Sequence, residues 1–264
     1  MSTLILSPRY SDDSRVMRAA AIRAGWNVLR LGGWRVPEGQ TDSVGALYGE
    51  PLFAEVIAAQ LGIALLDAPK EWLPDLPMSL RQRDIRVSTL GEARRSADPI
   101  FVKPADGRKG FAGAVYRDGQ GLPSAQACPN ETPVLIAEPV RWEAEFRCFV
   151  KDGAVLTMSP YLRDGELARA DDGGWPMTST EADAVRACAE RLFAEVPTPP
   201  AIVVDIGLIE GRGWAVVEAN SAFGAGVYGC DPELVLEVLA RGCIPRTELS
   251  GNDIRWAAPS ADLI

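Results

Sequence analysis

Short apolar blocks alternate with amphipathic ones over the first quarter of the chain. Thr3–Leu6 is an apolar run of strand length, and Asp12-Asp13-Ser14 offers a cap for a helix running to about Arg23 and ended by Gly25. Trp26–Leu31 alternates with the period of a second strand, and Ser43–Tyr48 reads as a third. Pro51–Leu61 reads as a helix, with proline at its first position and Gly62 just past its end, and Ile63–Leu66 as a fourth strand. This order predicts a small open α/β layer on a mostly parallel sheet. Its first loop, Ser7–Asp13, has no G-x-G-x-x-G, so a dinucleotide is not indicated.

The pattern then changes. Ala68–Pro77 contains Pro69, Pro74 and Pro77 and reads as a linker, which sets a boundary near residue 75, between 1–75 and 76–264. Arg81, Arg83 and Arg86 surround a short strand near Ile85–Val87. Thr89 caps a helix to about Arg95, with Glu92 at the capping-box position. Pro99–Pro104 is a strand carrying Lys103, followed by a glycine loop, Ala105–Gly110, and a returning strand, Phe111–Tyr116. Val134–Ala137 leads into Glu138-Pro139-Val140. Glu145–Val150 puts Glu145, Arg147 and Phe149 on one face, and Lys151-Asp152-Gly153 signals a hairpin to a strand at Gly153–Tyr161. Asp164–Pro176 reads as a mobile polar loop. Thr180–Glu195 reads as an amphipathic helix capped by Thr180. Asp231–Arg241 reads as a second helix, with Asp231 as cap, Pro232 first and Gly242 past its end. Residues from about Leu249 read as a polar tail.

The densest chemistry lies in Ala201–Gly226. Ile202–Ile209 and Trp214–Ala219 read as two strands joined by Glu210-Gly211-Arg212-Gly213. That hairpin sets Asp205 and Glu218 at comparable heights, and Asn220, two residues on from Glu218, shares its face. Two carboxylates and an amide oxygen converging this way suit Mg²⁺ completed by substrate phosphates; the plain alternative is a strand-end acid beside a polar turn. The chain has only four lysines, Lys70, Lys103, Lys109 and Lys151. Lys103, inside an apolar strand, needs an anion, either a phosphate or a neighbouring acid.

Composition narrows the chemistry. The 264 residues are nearly half apolar and carry a formal charge of −9, which speaks against a general nucleic-acid binder. No run is long enough to span a membrane and no signal peptide is evident, so a cytoplasmic location is expected. Five scattered cysteines read as reduced thiols. The chain contains no histidine, so imidazole acid–base and nucleophile pairs are excluded, and chemistry must run on carboxylates, Lys, Arg, backbone dipoles or a metal.

Three matches, F-V-K-P with its glycine loop, Glu138-Pro139-Val140 followed by E-F-R, and Asp205 with Glu218-Ala219-Asn220, make the chain resemble the ATP-grasp superfamily. The closest likeness is to a bacterial and phage branch in which arginine takes over one of the usual lysine roles. The resemblance implies a small N-terminal open α/β domain and then a two-lobed ATP-grasp fold, with lobes at about 80–137 and 138–250. Carried over by position, Lys103 meets the α/β-phosphates and Lys109 covers them. Arg83 or Arg86 stands in for an upstream lysine. The backbone of Glu138 and Val140 meets adenine, Glu145 the ribose and Arg147 the γ-phosphate, with Arg147 and Lys103 as the catalytic pair. Asp205, Glu218 and Asn220 hold Mg²⁺, and Arg163, Ser221, Phe223 and Gly224 lie near the acceptor.

The reaction implied is ATP-dependent ligation of a small-molecule or peptide carboxylate to an amine through an acyl phosphate, by a monomer or homodimer. The alternatives are an ATP-dependent small-molecule kinase and a non-catalytic ATP-binding sensor.

Overall fold

The computed structural model describes residues 1–39, 43–105 and 110–258. Its first part follows the predicted alternation: β1 (Thr3–Leu6), α1 (Asp12–Arg23), β2 (Asn27–Arg30), β3 (Val44–Tyr48), α2 (Pro51–Leu61) and β4 (Ile63–Leu65). The first three strands form a parallel sheet of order β2-β1-β3. The cap of α1 is Ser11, whose hydroxyl accepts from the Ser14 N–H while Ser14 answers on Ser11; Asp12 and Asp13 lie inside the first turn, where the helix dipole favours acids. β4 does not join this sheet. It pairs antiparallel with Cys243–Pro245, tying the first part of the chain to its end.

α3 (Trp72–Asp75) and α4 (Met78–Arg81) fill the expected linker. Then come β5 (Ile85–Thr89), α5 (Leu90–Ala93), β6 (Ile100–Pro104), β7 (Ala114–Tyr116) and β8 (Pro133–Ala137), an antiparallel sheet of order β5-β8-β6-β7. Thr89 caps α5, but Glu92 does not complete the box. Its carboxylate accepts from Ser88 and pairs with Arg86, and α5 stops at Ala93 instead of Arg95.

The last part holds β9 (Trp142–Lys151), β10 (Ala154–Arg163), β11 (Glu166–Leu167), α6 (Ser179–Glu195), β12 (Ala201–Ile209), β13 (Gly213–Asn220), α7 (Pro232–Gly242), β14 (Cys243–Pro245) and α8 (Gly251–Ile254). Five strands form an antiparallel sheet of order β11-β10-β9-β12-β13. Asp152 and Gly153 both have positive φ (48° and 77°), the backbone a two-residue hairpin needs. Asp164 and Gly165 repeat it (49° and 82°), so the stretch expected as an open loop begins with a second hairpin. Helix α6 is capped by Thr178, with Glu181 in a complete capping box, and not by Thr180. The expected tail is folded: Trp256 is buried, and Asp253 accepts from Arg241.

The two faces of the five-stranded sheet are covered differently. Phe146, Cys148, Val204 and Ile206 pack under α6 through Val185, Ala189 and Leu192. Phe149 and Val203 face the other way, into a core shared with α7, α2 and the parallel sheet. The period of two places Arg147 and Asp205 on this second face, between those layers. Among the described residues, no helix is long and apolar enough to cross a membrane.

Candidate functional site

Arg147, Asp205 and Glu218 form one transverse row on β9, β12 and β13: Asp205 is in register with Arg147 on one side and Glu218 on the other. Arg147 grips Asp205 with two donors, Nε to Oδ1 at 3.0 Å and Nη2 to Oδ2 at 2.7 Å. Asn220 donates from Nδ2 to Asp205 Oδ2 (3.1 Å) and to Glu218 Oε1 (3.0 Å). Lys103 reaches across from β6, and its Nζ donates to Glu218 Oε2 at 2.5 Å. The acid that Lys103 needs is therefore present within the chain. Asp205 is fully buried and Arg147 nearly so, and bidentate geometry is what makes such a pair tolerable.

The register of β13 carries an irregularity. Asp205 pairs with Glu218, but Ile206 pairs with Val216, which leaves Val217 as an extra residue, a β-bulge. The neighbouring backbone is satisfied from outside the sheet. Arg83 donates to the Val216 and Val217 carbonyls (2.8 and 2.6 Å), and Gln82 Nε2 to the Trp214 carbonyl (2.8 Å). Segment 82–83 thus covers the exposed edge of the five-stranded sheet.

A cleft of about 200 Å³ opens between the two antiparallel sheets. Ile85, Phe101, Leu135, Ala137 and Trp142 give it apolar walls, Glu138 and Val140 lie along one border, and Arg83, Lys103 and Glu218 bring charge to the lining. The Arg83 guanidinium stacks 4.8 Å from the Trp142 ring centroid, and burial pulls its pKa down to about 10.

Electrostatics set the two acids apart. Burial pushes the Asp205 carboxyl up to about 6, against Arg147, which opposes the shift. For Glu218 burial also works against charge, but the Lys103 ammonium outweighs it and holds the carboxyl down to about 2. On Arg147, burial opposes the charge and Asp205 overcomes it, so the guanidinium stays protonated. The donor set suits a hard divalent cation: the Asn220 amide lies within hydrogen-bond reach of both carboxylates, and turning its oxygen toward them would complete three oxygen donors. Among the described residues, no three His, Cys, Asp or Glu side chains converge, so Asn220 would have to serve as the third donor.

The other residues singled out in the sequence fall unevenly. Arg86 points away from the cleft, because it alternates with Ile85 on β5, and it pairs with Glu92 at 2.7 Å. Glu138 is turned outward onto Arg212, at 2.5 Å. Glu145 is buried and does not line the cleft; its Oε2 accepts from the Tyr161 hydroxyl at 2.7 Å. Arg163, at the end of β10, is bound to Glu181 in the first turn of α6 (2.5 Å) and does not join Ser221 and Phe223. Ser221 donates to Asp67, while Phe223 is in the shared core and accepts at its carbonyl from the Gly49 N–H. Gly224 packs against Pro51. Lys109 and residues 106–108 of the glycine loop lie outside the described residues.

Asp67 was not singled out in the sequence. It is the acid that receives Ser221, next to Asn220, and burial pushes its carboxyl up to about 6. An acid two residues past β4 was the available signal. Tyr228, which packs against Arg147, and Trp175, which packs against Tyr228, left no signal beyond their residue type.

The chain matches a family model described as ATP-grasp domain, R-2-K clade family 2, over residues 80–238. No curated protein sequence matches it. Solved structures share the fold. D-cycloserine synthetase DcsG is 13% identical with a TM-score of 0.56, covering 91% of this chain and 99% of that one. A RimK domain ATP-grasp protein from Sphaerobacter thermophilus DSM 20745 is 18% identical with a TM-score of 0.55, covering 90% and 99%. The D-alanine–D-alanine ligase of Bacillus anthracis complexed with ATP is 13% identical with a TM-score of 0.53, covering 92% and 96%. With the family model spanning more than half of the sequence and the two antiparallel sheets enclosing one cleft, the chain belongs to this ATP-grasp domain family.

Proposed function

We propose that the protein is an ATP-dependent ligase that joins a small-molecule or peptide carboxylate to an amine through an acyl phosphate, releasing ADP and phosphate. The observation that carries this reading is the lining of the cleft: an apolar slot bordered by Glu138 and Val140 continues onto Lys103 and Glu218, where the charged row to Arg147 begins. A purine suits the slot, and a triphosphate suits the cations beyond it. The Glu138 N–H already donates to the Asp84 carbonyl (2.9 Å), which leaves the Glu138 carbonyl and the Val140 N–H to read an adenine edge.

In this reading Lys103 and Arg83 neutralise the α/β-phosphates and Arg147 faces the γ-phosphate. Asp205, Glu218 and Asn220 hold Mg²⁺, which supplies charge neutralisation on the phosphates when bound. Lys103 must then exchange Glu218 for phosphate. The substrate carboxylate, ionised at neutral pH, attacks the γ-phosphorus; the P–O bond to ADP breaks, and an acyl phosphate forms. The amine attacks the acyl carbon, phosphate departs, and the proton shed by the amine passes to that phosphate or to a carboxylate. No step requires histidine, in keeping with the composition.

The test is ADP release by the purified protein with Mg²⁺, ATP and pools of carboxylates and amines. A ligase releases ADP and phosphate only when both pools are present. ADP release with one pool, together with a stable phosphorylated product, would indicate a kinase. Tight ATP binding without release under any pool would indicate a sensor.

A further inference from the structure

The segment following β11, expected as a mobile polar loop, is tied to β10 and reaches the aromatic residues beside Arg147. The Ala168 N–H donates to the Tyr161 carbonyl, and the Ala170 N–H to the Gly174 carbonyl, both at 2.9 Å. This turn delivers Trp175, whose ring meets Tyr228 edge-on with centroids 5.4 Å apart. Tyr228 stacks on Tyr161 at 5.3 Å, and the Arg147 guanidinium lies 5.0 Å from the Tyr228 centroid and 5.1 Å from that of Tyr161. Tyr228 has a φ of 50°, a left-handed conformation that is uncommon for a bulky aromatic residue. The next residue has to be glycine: a Cβ on Gly229 would lie 2.5 Å from the Trp175 ring and 2.6 Å from Ser159 Oγ. Ser159 accepts from the Gly229 N–H (3.2 Å) and Thr157 from the Asp231 N–H (2.9 Å), so the segment bearing Tyr228 is fastened to β10.

We propose that Trp175 is a positioning residue for Arg147. Acting through Tyr228, it holds an aromatic cover that keeps the guanidinium dry and aligned on Asp205, where exclusion of water strengthens the paired hydrogen bonds. The catalytic consequence rests on the reading of Arg147 as the γ-phosphate contact; the physical role does not.

The experiment compares Trp175→Ala, Trp175→Phe and Gly229→Ala with the wild-type protein. The first readout is exchange of the Arg147 Nε–H with water, measured by ¹⁵N-edited NMR and assigned with Arg147→Lys. Exchange should quicken about tenfold or more in Trp175→Ala and in Gly229→Ala, which crowds the indole, and stay near wild type in Trp175→Phe. The second is ATP affinity by calorimetry beside ADP release: affinity should hold within about twofold while release falls about tenfold or more in Trp175→Ala, with recovery in Trp175→Phe. Unchanged exchange in Trp175→Ala overturns the proposal; faster exchange with ADP release at the wild-type rate upholds the positioning of Arg147 and overturns its catalytic consequence. Should the wild-type protein release no ADP with any substrate, the ligase reading fails, while the exchange rates still decide whether Trp175 holds Arg147.

Discussion

Asp205 and Glu218 face each other across β12 and β13, and each is held by a cation from a different sheet: Arg147 on β9 for the first, Lys103 on β6 for the second. Arg147 and Asp205 are a closed pair, buried and bidentate. Lys103 and Glu218 are half-buried at the mouth of the cleft, where a ligand can compete for both. The two acids therefore carry separable expectations.

Glu218→Gln keeps the shape of the side chain and removes its charge. Mg²⁺-dependent ADP release should fall by about 10²-fold or more, with the circular dichroism spectrum unchanged. Wild-type turnover in this variant would remove Glu218 from the metal site.

Lys103→Ala should weaken ATP binding by about tenfold or more in calorimetry. Lys151→Ala serves as the control, because Lys151 pairs with Glu237 on the far end of β9 (3.0 Å) and should change affinity less than about twofold. Equal losses would strip Lys103 of its phosphate role.

Arg83 and Arg86 are three residues apart and should behave oppositely. Arg83→Ala leaves the Val216 and Val217 carbonyls without their donor and should cost about 2–4 kcal/mol in urea unfolding, with weaker ATP binding. Arg86→Ala removes an exposed ion pair with Glu92 and should change stability by less than about 0.5 kcal/mol.

The Glu181 carboxyl is held down to about 2, from an ordinary 4.5, first by Arg163, with burial opposing and the Thr178 cap assisting. Between those values the unfolded chain binds the extra proton, so the contribution to stability is complete above about pH 4.5 and is lost as pH falls toward 2. Glu181→Gln should cost about 1 kcal/mol at pH 7, after discounting for solvent screening. The gap between mutant and wild-type melting curves should close as pH is lowered through this window. A gap independent of pH would mean that shape, not charge, caps α6.

Much of the fold was legible in the sequence where the signal is local. Pro51 and Gly62 bracket α2, Asp231 and Pro232 open α7, and Asp152-Gly153 turns the β9–β10 hairpin, because each acts on its own backbone. The convergence of Asp205, Glu218 and Asn220 was legible in outcome but not in cause: the turn pairs Ile209 with Gly213, and only the surplus Val217 brings Glu218 level with Asp205. Long-range choices were not legible. Nothing near Ile63 reveals that β4 pairs with a strand some 180 residues away. The alternation of β5 sets Arg86 on the side opposite Ile85, but does not say which face the cleft would occupy. The D-G step at Asp164-Gly165 was visible and was read as loop, since the strand after it is only two residues long. Glu145 and Arg163, charged and on strands, were drawn instead to Tyr161 and Glu181 by packing that only the assembled sheet defines.

The surplus residue at Val217 has a consequence for how this strand can change over time. Val216 points into the layer beneath α6, whereas Glu218, only two positions on, points into the cleft. In a regular strand both would share a side. Inserting a single residue between the turn and this bulge would pair Glu218 with Val204 instead of Asp205 and turn Glu218 and Asn220 under the helix together, away from Asp205 and Arg147. The length of this strand is therefore as much a chemical requirement as the identity of its acids, and lengthening it by one should abolish function even where every named side chain survives.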